Sequence, residues 1–374
     1  MSAILDDIAA QATSPRLRVE RCRDALRQVG QVHLADARSP RERAMAFRSF
    51  ELPRPMAAAW QVANTLLPYL GTLVLMGWTI ERHWSWWTTL ALAVPASGLL
   101  VRLFVLMHDC THASFLHSRR AERVLGSILG VLAFTPFAEW RHCHLAHHAT
   151  SGDLDRRGTG DIWTMTVDEY FGSSPARRLQ YRYARNPFLL LLFGPFLVFV
   201  FGSRIPPRGA NRERVLSVLW TDLALAAIVT AAAFTIGVRA YVMIQLPVLF
   251  LAGVWGIWLF YVQHQFVPSY WARGDAWEPT RAALEGSSYL RLPKVLQWFS
   301  ANIGLHHVHH RRPRIPNYNL QRCLDATPEF RLSPPLTLIG SVGCAHLALW
   351  DERAHELVSF RGAEARRVET GKAS

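Results

Sequence analysis

Lysine is almost missing from this chain: Lys294 and Lys372 are its only two. The net charge of +13 is therefore carried by arginine. No compact basic and aromatic module accompanies that charge, so nucleic acid is not expected as a partner. Arginine beside apolar runs points instead to the cytoplasmic face of a membrane and to anionic lipid. It also suits an acidic redox partner. Cysteine is sparse as well. Cys22, Cys110, Cys143, Cys323 and Cys344 are odd in number and lack the spacing of a disulfide framework or zinc ribbon, which fits a reducing compartment. Residues 1–55 are polar, with no secretory signal pattern. Charged residues make up only 18% of the chain against 50% apolar, and the two kinds are segregated. This predicts a membrane core with sizeable polar parts and not an ordinary soluble domain.

What the chain has in abundance is clustered histidine. Three groups stand out: His108-Asp-Cys-Thr-His112, His144-Leu-Ala-His147-His148 and His306-His307-Val-His309-His310. Residues three and four apart share one face of a helix, so each group can aim its imidazoles at a single centre. Together they offer more nitrogens than one closed four-ligand site can use, which argues for two metals. Imidazole suits iron, copper, zinc and nickel alike, so ligand type alone does not choose the metal.

Six apolar segments mark the chain. Residues 56–80, 84–107, 215–237 and 240–264 are each long enough to cross a bilayer. Short polar turns join the first pair and the second, so each pair reads as a hairpin. Residues 124–137 and 187–201 are shorter and bounded by prolines or arginines. If the three groups form one site, they lie on one side of the membrane, separated by even numbers of crossings. Residues 124–137 then lie in the interface or re-enter, and 187–201 do not cross. Four spans in two hairpins result. The arginines agree with this. Arg41, Arg43, Arg48 and Arg54 precede the first span, and Arg119 and Arg120 follow the first histidine group. Arg156, Arg157, Arg177, Arg178, Arg182 and Arg185 follow the second, and Arg311, Arg312 and Arg314 the third. The opposite turns carry only Arg82 and Arg239. The positive-inside rule predicts that every histidine group and both termini face the cytoplasm.

With the ordered boxes HxxxH, HxxHH and HxxHH, the chain resembles the membrane fatty acid desaturase family, in its acyl-lipid Δ12/ω-type branch. The likeness continues through residues 148–163, Phe260-Tyr-Val-Gln-His-Gln-Phe266, Leu284-Glu-Gly-Ser-Ser-Tyr289, Asn302-Ile-Gly-Leu-His306 and Pro313-Arg-Ile-Pro-Asn-Tyr-Asn319. The resemblance implies an all-α integral membrane protein, with four transmembrane helices in two hairpins and a cytosolic helical cap carrying the boxes. A desaturase domain would span residues 51–360, after a cytosolic segment 1–50 and before a flexible tail 361–374. Two iron ions would be held by His108, His112, His144, His147, His148, His306, His309 and His310. His264 stands where the family has a lone histidine at the end of the last span. Phe260 stands where relatives acting on acyl-CoA have an asparagine. The implied reaction uses O2 and two electrons to place a cis double bond in a lipid acyl chain, held in a narrow apolar tunnel. No flavin or nicotinamide fingerprint and no fused haem domain is present, so ferredoxin or a b-type cytochrome is the expected donor.

Elementary chemistry agrees. An unactivated methylene has no acidic proton and no electrophilic carbon, so acid–base pairs and nucleophilic triads have nothing to act on. An oxidant generated from O2 at a metal is required. Carboxylates should orient the histidine rings; Asp109, Asp153, Asp155 and Asp161 are the first candidates, and Glu139 and Glu285 the second. His83, His117, His142, His307 and His346 read as non-ligands. A hydroxylase or ketolase acting on fatty acid, sphingolipid or carotenoid would use the same boxes. A membrane metal carrier or haem protein is the other class, but haem needs axial pairs set within facing spans.

Overall fold

The computed structural model describes residues 40–372. Most of the expected cytosolic segment 1–50, Cys22 and the last two residues of the expected tail lie outside the described residues. Helix α1 (Pro40–Glu51) leads into α2 (Pro55–Glu81), which opens on a proline, where the missing N–H removes no helical bond. Next comes α3 (Trp86–Thr111). Ser118 then caps α4 (Arg119–Leu132) by accepting from the Ala121 N–H, and α5 (Phe137–Thr150) follows. A cap section contains β1 (Met165–Thr166), α6 (Val167–Gly172) and α7 (Pro175–Ala184). Helix α8 (Pro187–Pro195) continues as a π-helical turn over Phe196–Gly202. The long helices α9 (Arg212–Thr235) and α10 (Val238–His264) come next.

The remaining chain forms short elements: α11 (Pro279–Glu285), β2 (Tyr289–Arg291), α12 (Lys294–Phe299), α13 (His306–Arg311) and α14 (Asn317–Ala326). Then follow β3 (Pro335–Thr337), α15 (Leu338–Gly343), β4 (Leu349–Asp351), β5 (Glu356–Val358) and α16 (Phe360–Lys372). The fold is thus mainly helical, as expected, with one addition. Strand β4 pairs in parallel with β1 and antiparallel with β5, while β2 pairs in parallel with β3. These strands of two or three residues tie distant parts of the cap together. The stretch expected to be a flexible tail is helical in α16. Its Ala363 is buried, and Arg366 binds Asp351 at 2.8 Å and also Glu356.

Helix α3 is the centre of the molecule, packed against α2, α4 and α10. Its Leu99, Leu103, Leu106 and Met107 are buried. Helix α9 instead turns Trp220, Leu223 and Phe234 outward. So extended an apolar surface suits hydrocarbon and not water. By length and composition α3, α9 and α10 can cross a membrane; the number rises to five if each of two bent helix pairs counts as one span. The pairs are α4 with α5, bent by 102°, and α7 with α8 and its π turn, bent by 68°. Helix α2 is 27 residues long but carries Gln61, Asn64 and Thr65 toward the protein interior, which lowers its apolar character.

The α4–α5 bend falls at Phe134, whose φ is 55°, beside a 2.7 Å bond from the Thr135 N–H to the Gly130 carbonyl. Helix α8 lies close across α10. A Cβ on Gly253 would come within 2.5 Å of the Pro195 Cβ, so only glycine permits that approach.

Candidate metal centre

Four separate elements deliver the histidines. His108 lies in the last turn of α3 and His112 caps it. Helix α5 carries His144, His147 and His148; the final residue of α10 is His264; α13 carries His306, His309 and His310. The structure brings these nine imidazoles together and sorts them into two groups. The first is His108, His112, His144, His148 and His309; the second is His147, His264, His306 and His310. Within each group the ring nitrogens lie within 4.8 Å of one another. Both HxxHH boxes are split. Residues four apart stay together (His144 with His148, His306 with His310), while His147 and His309 cross to the opposite group.

The nitrogens are aimed at common points. In the first group, Nε2 of His112 is 3.0 Å from that of His144, which is 3.1 Å from that of His148, in turn 3.0 Å from that of His309. In the second, Nε2 of His264 lies 3.1 Å from that of His147 and 2.9 Å from that of His306, and the His306–His310 separation is 3.1 Å. A neutral ring nitrogen is either one donor or one acceptor. Such chains of contacts therefore cannot be satisfied as hydrogen bonds at every link. A cation resolves the conflict. Nitrogens about 2.0–2.1 Å from an ion and at right angles about it stand about 3 Å apart. His108 adds a buried Nε2 with no hydrogen-bond partner among the described residues. The donor set fits two metal ions.

Burial holds His306, His309 and His310 well below the usual imidazole range, and neighbouring histidines push the same way. They are neutral, the form in which imidazole binds metal. His307 is pushed down to about 4 by burial and donates from Nε2 to the Phe330 carbonyl at 3.0 Å. It stays outside both groups, as the sequence reading expects.

Two of the six expected carboxylates touch rings. Asp161 meets His147 Nδ1 at 2.5 Å, and Asp109 lies 3.3 Å from His108 Nδ1. The other four are corrections to the sequence reading, because arginines take them. Asp153 binds Arg156, Asp155 binds Arg273, Glu139 binds Arg214 and Glu285 binds Arg281. Sequence reasoning gave no role to Asn317, which donates to Asp109 from its backbone N–H at 2.7 Å and its side chain at 2.8 Å. It also overlooked Trp140, stacked on His144 at 4.4 Å, although Trp140 sits one turn earlier on the same helix face. Gly160, with φ +76°, lets its loop pass against α5; a Cβ there would meet the Cys143 carbonyl at 2.6 Å. That passage brings Asp161 to His147.

A cavity of about 560 Å³ reaches this centre from the apolar layer. Leu100 and Phe104 of α3, Phe199 of the π turn, and Gly256 and Phe260 of α10 line it, and His108, His144 and His306 border it. The arrangement can hold a long apolar molecule beside two ions while excluding water.

The chain matches the family model described as fatty acid desaturase over residues 84–334. It is 41% identical over 313 residues to the fatty acid desaturase of Bacillus subtilis (strain 168), covering 84% of this chain and 88% of that one. More distant relatives include an endoplasmic-reticulum omega-3 fatty acid desaturase of Vigna radiata var. radiata, 26% identical over 260 residues (64% of each chain). A chloroplastic omega-6 fatty acid desaturase of Brassica napus is 27% identical over 239 residues, covering 63% of this chain and 53% of that one. The chain belongs to the fatty acid desaturase family, a class of oxygen-dependent oxidoreductases.

Proposed function

We propose that this protein is a membrane di-iron desaturase that places a cis double bond, Δ12/ω-6-like, in the acyl chain of a lipid. The observation that carries the reading is the pair of converging Nε2 groups bordering an apolar cavity. His108, His112, His144, His148 and His309 would hold one iron, and His147, His264, His306 and His310 the other. Iron bound there supplies the oxidising power, drawn from O2, that an unactivated methylene requires.

The chain's own residues do the rest. Asp161 fixes the His147 ring, and Asp109, held by Asn317, does the same for His108. Trp140 and Phe260 shield the rings from water. The cavity wall aligns one carbon pair with the histidine edge, so chain position within the cavity selects the bond. The balance requires an outside reductant: reducing O2 to two waters takes two electrons and two protons with the two hydrogens of the substrate. An external ferredoxin or b-type cytochrome suits the arginine-rich cap.

The proposed topology has α2, α3, α9 and α10 as four spans in two hairpins, with the histidine groups and both termini in the cytoplasm. The arginine distribution supports it.

The test is expression in a host without polyunsaturated lipids, followed by double-bond mapping and iron analysis. New dienoic chains, and none with His147→Ala, are expected. Hydroxylated lipid, or protein that carries haem or zinc in place of iron, would overturn the reading.

A further inference from the structure

Arg185 belongs by sequence to the basic run after the second histidine box, yet the structure buries it: only 3% of its surface is exposed. It follows α7 and precedes the apolar α8, at the junction of cap and membrane segment. Its Nη2 is fully used. It donates to Gln265 Oε1 at 2.6 Å and to the Leu347 carbonyl at 2.8 Å, with the Tyr261 hydroxyl at 3.3 Å. Nε and Nη1 have no hydrogen-bond partner among the described residues. Guanidinium has five N–H donors and is always charged, so three donors remain. Among the described residues no carboxylate forms an ion pair with Arg185, whereas the half-buried Arg157, Arg204 and Arg214 each have one. A buried charge without a partner is costly unless something supplies one. Arg185 also lines the same 560 Å³ cavity that His108, His144 and His306 border.

We infer that Arg185 is the head-group anchor of the substrate cavity, binding the anionic oxygens at the polar end of an acyl chain. The face of Tyr261 lies 5.1 Å from the guanidinium, and Gln265 fixes its direction, so the donors are held ready before the ligand arrives. The chemistry it recognises is an anionic oxygen group attached to a long apolar chain. Two sources share it: the phosphodiester of a phospholipid and the carboxylate of a free fatty acid. With the head held at Arg185, the carbons that reach the histidines are counted from the head of the chain. This inference rests on the proposed acyl substrate.

The experiment compares three sixteen-carbon probes binding to the purified, iron-loaded protein in neutral detergent: 1-palmitoyl-lysophosphatidylglycerol, palmitate and uncharged 1-palmitoylglycerol. Wild type should bind a charged probe more tightly than the uncharged one by about tenfold or more, the scale of one hydrogen bond to a charged group. A preference for the lysophospholipid assigns the site to a lipid head, and a preference for palmitate assigns it to a free acid. Arg185→Gln should abolish the preference while leaving 1-palmitoylglycerol binding unchanged, and Arg185→Lys should keep part of it. Equal binding of charged and uncharged probes by wild type overturns the proposal, even if Arg185→Gln fails to fold. A preference that survives in Arg185→Gln overturns it too. Loss of the iron or of the unsaturated product, with the head preference intact, would instead count against the desaturase reading alone.

Discussion

His147 and Asp161 face each other across 2.5 Å, Nδ1 to Oδ1, with the second carboxylate oxygen taking the Gly158 N–H at 3.0 Å. The pairing fixes which ring nitrogen is left for metal: Nδ1 holds the proton toward Asp161, and Nε2 points into the second histidine group.

Asp161→Asn keeps the shape and removes the charge. Iron affinity of the His147 group should fall about 10–100-fold, the usual effect of losing such a partner. The five-histidine group should keep its ion. Dialysis against graded chelator should therefore leave the variant with one iron per chain where wild type keeps two. Equal loss from both groups would contradict the separation of the two sets.

Asn317→Ala removes the side-chain donor to Asp109 Oδ2 and the amide pair with Gln61, whose Nε2 donates to Asn317 Oδ1 at 2.8 Å. Leaving these buried groups short of partners should cost about 1–3 kcal/mol of stability. Denaturation of the purified protein in detergent measures it. A neutral result would mean that water replaces the amide.

Two glycines one turn apart in α10 should respond in opposite ways. At Gly253 a Cβ meets Pro195 at 2.5 Å, so Gly253→Ala should destabilise the protein by about 1–3 kcal/mol through overpacking. At Gly256 a Cβ meets nothing within 4 Å, and the residue lines the cavity. Gly256→Leu should fold normally and shift the product toward shorter chains or a displaced double bond, read by mass spectrometry of the lipids. An unchanged product from a folded Gly256→Leu enzyme would exclude that wall from the substrate path.

Burial alone would raise the Glu169 carboxyl. Hydrogen bonds from Arg157 and from the Thr166 N–H, with Arg273 nearby, outweigh it and hold the group below its usual range. The contribution to stability is therefore present above the unfolded carboxyl range and is lost as pH falls through the folded value. Thermal midpoints of wild type should drop between about pH 5 and lower values as carboxylates take up protons. Glu169→Gln should show a shallower drop. Parallel curves for the two proteins would remove Glu169 from the cause.

The three boxes were legible because metal binding restricts residue type and helical spacing together; His264, outside every box, was reached only through the likeness to the family. Their division was not legible. Residues three and four apart share a face, so sequence cannot tell that His147 leaves His144 and His148 for the other group; only the approach of α10 and α13 decides it. The supporting carboxylates were only partly legible: Asp109 and Asp161 reach rings, but sequence could not foresee that Arg214 and Arg281 take up Glu139 and Glu285. Counting arginines gave an orientation but hid Arg185, whose burial depends on how α7 and α8 turn over α10.

Each histidine group draws on both ends of the domain: His108 joins His309 in one, and His147 joins His310 in the other. A nascent chain released before residue 306 therefore lacks part of both sets, however well its first half is inserted. The proposed iron sites are complete only after α10 is in place and α13 has packed beside α5. Because the third box supplies His309 to one set and His306 and His310 to the other, both proposed sites are completed by the same short helix.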